Sequence, residues 1–103
     1  MNLKIIERIL ILMVLPPTGN IITLRIVNDL KKNLSFTEDE LRECNIRQEE
    51  NALRWDNDEY SKEIPIGEKA FDIIKDCLVA LDKENKLTEQ HIPLYERFVE
   101  KKE

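Results

Sequence analysis

Glycine, histidine and cysteine are scarce in this chain of 103 residues, which has two glycines, one histidine and two cysteines. A phosphate-binding loop needs closely spaced glycines, because only glycine lets the backbone N–H groups approach the phosphate. Gly19 and Gly67 stand far apart, so the sequence offers no such loop. A structural zinc site needs about four cysteine or histidine ligands, more than the chain contains. We therefore predict no metal and no cofactor.

The residues best suited to nucleophilic or acid-base chemistry have no partners beside them. His91 stands between Gln90 and Ile92, whereas a catalytic histidine normally has a nucleophile or an orienting acid close by. Cys77 falls on the apolar side of a predicted helix and Cys44 ends another, where the helix dipole disfavours a thiolate. We therefore predict no catalytic residue and do not expect an enzyme.

The sequence also fits poorly to a calcium-binding loop, to a membrane-spanning helix and to a signal peptide. Asp56, Asp58 and Glu59 loosely resemble a calcium loop, but the glycine and the closing glutamate of an EF-hand are missing. The most apolar run, Ile9 to Leu15, has seven residues, whereas a membrane-spanning helix needs about 20. No small-residue cleavage site follows it, so it does not match a signal peptide. We predict a cytoplasmic protein with no membrane segment.

Acidic residues outnumber basic ones, and the imbalance is concentrated in the middle of the chain. The net charge is −5 overall, made up of +3 in residues 1–36, −6 in residues 37–63 and −2 in the remainder. A domain with this balance repels phosphate backbones at long range. Nucleic-acid binding would therefore need the basic first third to form a separate patch.

What the sequence does contain is a full set of folding signals for one domain spanning residues 1–103. Apolar residues make up 42% and charged residues 36% of the chain, which is typical of a folded, soluble domain of this length. Residues 1–66 are predicted to form helices and a hairpin, and residues 67–103 a helical pair packed on them. The fold class is α+β, mostly helical, with about five helices and either a small antiparallel hairpin or a three-stranded sheet.

Apolar spacing and capping residues place the helices. A stripe from Leu3 to Met13 predicts a first helix that is buried on most of its surface, with Pro16 and Pro17 ending it. Ile21 and Ile22 suggest a short strand. A second helix is predicted from Thr23 to Leu34, and a third from Thr37 to Cys44.

The third helix has the sharpest start signal. Thr37 and Glu40 have the spacing of a capping box, and Phe36 and Leu41 that of a hydrophobic staple. Much of the local acidity is therefore a helix-start signal.

The second half of the chain continues with short strands and then helices. Alternation from Ile46 to Trp55 predicts a hairpin, and Ile64 to Ile66 a third strand that Pro65 confines to an edge. A long amphipathic helix is predicted over residues 68–83. A last helix is predicted from Thr88 to Lys101, with Pro93 either kinking it or moving its proper start to about Ile92.

In this order of elements, residues 1–60 resemble a winged helix-turn-helix domain. The features that carry the resemblance are the buried first helix, the second helix, the turn at Ser35, the helix from Thr37 to Cys44 and the hairpin from Ile46 to Trp55. The resemblance implies DNA binding through the third helix and the hairpin, and dimerisation through the C-terminal helices. The chain departs from the family where binding would occur, because the third helix is acidic and the hairpin tip is Glu49-Glu50-Asn51.

Two functions follow from these observations. The preferred one is a small acidic protein-interaction module, either a regulator, an adaptor or an assembly factor, which binds a protein partner or forms a homodimer. Its candidate surface is Trp55, Tyr60, Glu49 and Glu50, since tryptophan and tyrosine are enriched at interfaces. For the two aromatic residues alone the favoured interpretation is packing, in which Trp55 anchors the small sheet on the helices and Tyr60 covers a loop, and the interface role is the alternative.

The second function is a winged-helix DNA-binding transcriptional regulator. Its candidate contacts are Arg8, Arg25, Lys31 and Lys32. A variant of the first function is a nucleic-acid mimic whose acidic middle binds a basic partner. The richness in Ile, Asn, Lys and Glu is compatible with a bacterial or phage source.

Overall fold

The computed structural model describes residues 1–100 and consists of helices with two small antiparallel sheets, which confirms the mostly helical α+β class. The elements in chain order are β1 (Asn2–Lys4), α1 (Ile5–Val14), α2 (Ile21–Leu34), α3 (Glu38–Glu43), β2 (Arg47–Glu49), β3 (Ala52–Arg54), β4 (Ser61–Glu63), α4 (Glu68–Lys83) and α5 (Ile92–Tyr95). A 3₁₀ turn at Glu89–His91 precedes α5, and a π-helical turn at Glu96–Glu100 follows it.

Each sheet has two strands. β2 and β3 form the predicted hairpin, and β1 pairs with β4 in an antiparallel register that sets Asn2 opposite Glu63. The strand predicted at Ile64 to Ile66 is therefore wrong in position and in partner, because the pairing residues are Ser61–Glu63 and they join the start of the chain. Ile64 is instead buried in the core.

The strand predicted at Ile21 and Ile22 is also wrong, because these residues form the first turn of α2. Asn20 begins that helix, and its side-chain oxygen accepts a hydrogen bond from the Thr23 N–H at 2.8 Å. An asparagine in this position satisfies one of the free N–H groups of a helix start. The cap therefore extends α2 by two residues, which places both isoleucines at its exposed end.

α1 differs from its predicted form at both ends. Leu3 lies in β1 and the helix begins at Ile5, while Met13 is 75% exposed. Conversely, two of its charged residues, Glu7 and Arg8, are buried. The predicted burial of most of the helix surface is confirmed, and Ile5 and Leu10 of the apolar stripe are buried. Apolar spacing missed the inward position of the two charges because it cannot anticipate that they have buried partners.

One hydrophobic core joins all the major helices. It is built from thirteen buried side chains, namely Leu3, Leu10, Ile11, Leu15, Val27, Leu30, Leu34, Ile64, Ala70, Ile74, Leu78, Leu94 and Phe98. Phe98 packs against Phe71 with 4.8 Å between ring centroids. The predicted range of α4 is confirmed, and its apolar side faces this core.

Two helices end in the same backbone motif. After α3, Asn45 has a φ of 50°, and the Ile46 N–H donates to the Leu41 carbonyl. After α4, Asn85 has a φ of 58°, and the Lys86 N–H donates to the Leu81 carbonyl. This is the Schellman arrangement, in which asparagine tolerates the left-handed conformation better than most residues.

The last helical region begins properly at Ile92, as Pro93 predicts. Pro93 occupies the first turn of α5, where its missing N–H costs no helical hydrogen bond. The predicted end of this helix, Lys101, lies outside the described residues. Within residues 1–100 no helix is long and apolar enough to span a membrane.

Candidate interaction surface

A buried ion pair fixes the turn between α2 and α3. Arg8, which is fully buried, donates from Nη1 to Glu40 Oε2 at 2.6 Å and from Nη2 to Glu40 Oε1 at 3.2 Å. Its remaining contacts are hydrogen bonds to the carbonyls of Leu34 at 3.1 Å and Ser35 at 2.7 Å. The guanidinium also lies over the Phe36 ring, 4.2 Å from its centroid. Arg8 therefore connects α1 to both sides of the turn.

Glu40 is the centre of this network. The capping box is confirmed, because Glu40 Oε1 accepts from the Thr37 N–H at 2.9 Å and the Glu40 N–H donates to Thr37 Oγ1 at 3.1 Å. The Tyr60 hydroxyl donates to Glu40 Oε2 at 2.9 Å, and Lys62 Nζ lies 3.7 Å from Oε1. One carboxylate thus serves the start of α3, the core arginine and the segment before β4.

The pKa values in the network follow from these contacts. Burial alone would raise the pKa of Glu40, but hydrogen bonds from Arg8, the Thr37 N–H and Tyr60 outweigh burial and lower it to about 2. Burial and the hydrogen bond to Glu40 raise the pKa of Tyr60 to about 12. At neutral pH the carboxylate is therefore ionised and the phenol is protonated, which is the arrangement that its hydrogen bonds require.

Arg8, predicted as a nucleic-acid contact, and Tyr60, predicted as part of the interaction surface, both belong to this network. Arg8 has no exposed surface, so this structure does not present it to a phosphate. Tyr60 is half-buried and its hydroxyl points to Glu40. Both residues therefore hold the fold around the turn.

The hairpin residues lie further out. Trp55 is half-buried and its Nε1 donates to Asp58 at 2.8 Å, which gives it a local anchor. Glu49 is exposed and pairs with Arg47 at 2.6 Å, while Glu50 occupies the turn with a φ of 53°. The tip of the hairpin is thus acidic and exposed.

The remaining basic candidates all lie on the surface of α2. Arg25, Lys31 and Lys32 are exposed, and none of them forms an ion pair with another residue of the described chain. Helical spacing puts Arg25 and Lys32 on one face, while Lys31 lies towards another side. Because Arg8 is buried, Arg25 and Lys32 are the two candidate contacts that lie on one exposed face of α2.

The side chains suited to catalysis are either engaged in hydrogen bonds, as His91 and Asp56 are, or protonated, as the two cysteine thiols are. His91 Nδ1 accepts a hydrogen bond from the Thr88 N–H at 2.9 Å and so caps the last helical region. Both cysteines are free thiols, and burial raises the pKa of Cys44 and of Cys77. Asp56 contacts Asn45 and Arg47, and within residues 1–100 no group of three or more His, Cys, Asp or Glu is placed to hold a metal ion.

The largest exposed apolar side chains surround the loop between α1 and α2. Met13 is 75% exposed, and Ile21 and Ile22 are each 62% exposed. Sequence patterning missed this surface because it assigned Met13 to a buried stripe and the isoleucines to a strand. Asn20 could have indicated this surface, because it is a favourable helix cap and therefore places the two isoleucines that follow it in the first turn of a helix.

An apolar groove lies beside the same helix. It has a volume of about 370 Å³ and runs between the C-terminal half of α2 and the start of α4. Ile26 and Leu30 line it on one side, and Pro65 and Ala70 on the other. α2 therefore carries exposed isoleucines at one end and an apolar groove along the other half.

Comparison of the chain with protein-family models, curated proteins and solved structures finds no match in any of the three.

Proposed function

We propose that this chain is a small acidic protein-interaction module. The observation that carries the proposal is the exposure of Met13, Ile21 and Ile22 around one loop of a domain whose core is otherwise complete. Apolar side chains scattered singly over a surface are ordinary. Ile21 and Ile22 are adjacent in the chain, and Met13 stands at the other end of the same short loop, which supports a shared binding site. The catalytic candidates identified in the sequence are used for capping or have raised thiol pKa values, which favours binding over chemistry.

We place the proposed contact on α2 rather than on the hairpin. Tyr60 is held by Glu40 and Trp55 by Asp58, so neither ring is free to serve mainly as an interface anchor. Glu49 and Glu50 stay exposed, as do Glu38, Asp39 and Glu43 on α3, and two of these carboxylates pair with Arg42 and Arg47. The exposed carboxylates support the nucleic-acid-mimic variant, in which the acidic middle of the chain binds a basic partner.

Binding that depends on α2 tests the proposal. The immobilised chain is incubated with a lysate of its source cells, beside a variant carrying Ile21→Glu and Ile22→Glu. A bound protein should be captured by the native chain and lost with the variant, because two buried carboxylates would oppose the contact. Ile92→Glu is the matched control, since Ile92 is 52% exposed on a different element. Equal capture by all three chains, or a native chain that neither captures a protein nor self-associates, would reject the proposal.

A winged-helix DNA-binding regulator is the second candidate, and the exposed, unpaired Arg25, Lys31 and Lys32 favour it. The helices and small antiparallel sheets are compatible with a winged-helix-like layout, while the first strand lies before α1 and pairs with β4 rather than lying between α1 and α2. Duplex affinity that falls steeply with salt and is abolished by Lys31→Glu with Lys32→Glu would support this function. Absence of duplex binding at low salt would remove it.

A further inference from the structure

The outward face of α2 has three parts in a fixed order. Ile22 stands at the N-terminal end, Arg25 and Asp29 stand in the middle, and the mostly apolar groove extends beside the C-terminal half. Asp29 itself lines this groove, together with Glu68 and Lys69 of α4. Arg25 and Asp29 are exposed, and neither forms an ion pair with any residue of the described chain. The helix thus presents an unfilled groove, an unburied isoleucine and two opposite charges without partners.

These features lie on the same flank of the helix. Ile22, Ile26, Asp29 and Asn33 succeed one another at intervals of three or four residues, which aligns them along one side. Ile26, Asp29 and Asn33 line the groove. Ile22 therefore continues the line of the groove towards the N-terminal end of the helix.

We propose that the partner of this face is a second copy of the chain, with the outward faces of the two α2 helices packed antiparallel around a two-fold axis. The axis lies at the level of Val27 along the helix, on the side opposite its buried side chain. A two-fold axis brings the same flank of both helices together and makes each contact twice. Arg25 and Asp29 are equally far from Val27 in sequence, so Arg25 of each copy faces Asp29 of the other. Ile22 and Lys32 are likewise equally far from Val27, so Ile22 of one copy reaches the C-terminal half of the other helix, where the groove lies.

Charge and shape both favour a second copy over an unrelated helix. The pairing of Arg25 with Asp29 gives two ion pairs across the axis, whereas parallel helices in register would set like charges together. The isoleucine at one end of α2 matches the apolar groove at its other end, so one helix supplies both halves of the contact. This inference rests on the proposed function, since it names the partner that the interaction module binds.

Exchanging the two charges tests the geometry directly. Sedimentation equilibrium of the native chain should show a concentration-dependent dimer. Arg25→Asp or Asp29→Arg alone puts like charges together twice, and each should raise the dissociation constant by about tenfold or more. The combined variant restores both pairs and should return the constant to within about threefold of the native value. Both residues are exposed, and circular dichroism verifies that each variant stays folded.

Two further variants complete the test. Ile22→Glu should leave a folded monomer, because it places a carboxylate in the apolar groove of the other copy. Lys75→Asp changes an exposed charge on α4 away from the groove and should leave the association unchanged. Because Arg25 and Asp29 are also four residues apart on one helix, the combined exchange restores their local pairing as well. Mixing the Arg25→Asp and Asp29→Arg variants should restore association, since opposite charges then face each other only between copies. A local effect on helix stability would persist in each variant and would not be relieved by mixing.

The outcomes separate this inference from the proposed function. A native chain that stays monomeric at high concentration overturns the dimer, and single exchanges without effect overturn the antiparallel register. If the monomeric chain still captures a different protein and Ile22→Glu abolishes that capture, the interaction module stands and only its partner is wrong. If it neither self-associates nor captures a partner, both proposals fail.

Discussion

Arg8 places a positive charge in the core and uses one carboxylate, two backbone carbonyls and one aromatic ring to stabilise it. A buried ion pair of this kind adds little stability compared with apolar residues of the same volume, but losing one partner leaves the other charged and unpaired. All buried side-chain polar atoms of residues 1–100 have a hydrogen-bond partner. Removal of one member of the network should therefore lower the free energy of unfolding by more than the contacts of that member contribute.

Replacing Arg8 by methionine tests this expectation. Arg8→Met should lower the free energy of unfolding by about 3 to 5 kcal/mol, because Glu40 stays buried without its cation. Urea denaturation at neutral pH measures the change. Arg42→Met is the control, since Arg42 forms an exposed ion pair with Asp39, and exposed pairs contribute at most about 1 kcal/mol. Similar losses in the two variants would contradict the role assigned to the buried pair.

The Glu40 carboxyl also makes stability depend on pH. Its pKa is about 2 in the folded chain against 4.5 as the ordinary value. Since the folded pKa is the lower one, the stabilisation is fully present above pH 4.5 and is lost as the pH falls from 4.5 towards 2. The shift corresponds to about 3 kcal/mol.

The measurement compares urea midpoints at about pH 6 and about pH 3 for the native chain and for Glu40→Gln, since acid protonates the carboxylate over this range. Glutamine keeps the size of the side chain but cannot ionise. The native chain should lose more stability than the variant between the two values. Parallel profiles would show that another carboxyl governs the acid sensitivity.

Among the helices and strands, α3 has the start that depends most on residues close together in the sequence. Thr37→Ala should destabilise the chain by about 1 kcal/mol, because it removes the oxygen that accepts the Glu40 N–H. Thr37→Ser keeps that oxygen and should stay within a few tenths of a kcal/mol of the native chain. Thermal unfolding of the two variants side by side provides the measurement, and an equal loss in both would argue that the methyl group matters more than the cap.

The contrast between α3 and β1 explains how much of this fold could be predicted from the sequence. The capping box, the hairpin and the range of α4 depend on residues close together in the chain, so local patterns located them. β1 forms because Asn2–Lys4 meets Ser61–Glu63, and nothing near residue 2 indicates such a distant partner. The inward position of Arg8 depends in the same way on Glu40, which belongs to a different helix.

The candidate surface also combines features that local sequence patterns predict with features that depend on distant contacts. Arg25, Lys31 and Lys32 could be placed on the exterior of α2 from helical spacing alone. The groove could not be placed, because one of its walls comes from α2 and the other from the start of α4. Only the tertiary structure shows that Ile22 and the groove occupy one flank.

At the scale of the whole molecule, the two parts predicted from the sequence, residues 1–66 and 67–103, contribute to one core as far as the described residues extend. Phe98 packs with Phe71, and Arg97 reaches back to Glu7 at 2.6 Å and to the Asn2 carbonyl at 2.9 Å. The radius of gyration of 13.9 Å is close to the value of about 13 Å for a compact domain of 100 residues. These contacts favour unfolding in a single step.

Phe98→Ala tests whether the chain unfolds as one unit. The variant should lose about 3 to 5 kcal/mol through the cavity it leaves in the core. Trp55 fluorescence reports on the hairpin, while far-ultraviolet circular dichroism reports on all the helices. If the molecule is one cooperative unit, both signals should shift together to the same new midpoint. A fluorescence transition that stays at the native midpoint would show that residues 1–66 unfold independently of the C-terminal helices.

The pairing of β1 with β4 also sets an order of events during synthesis. The first strand leaves the ribosome long before Ser61–Glu63 has been made, and α4, which supplies much of the core, follows later still. Contacts between distant parts of a chain form late because the intervening loop must close first. The residues of β1 therefore wait without a partner until β4 has been made, and we expect the fold to assemble only as the helices that follow β4 emerge.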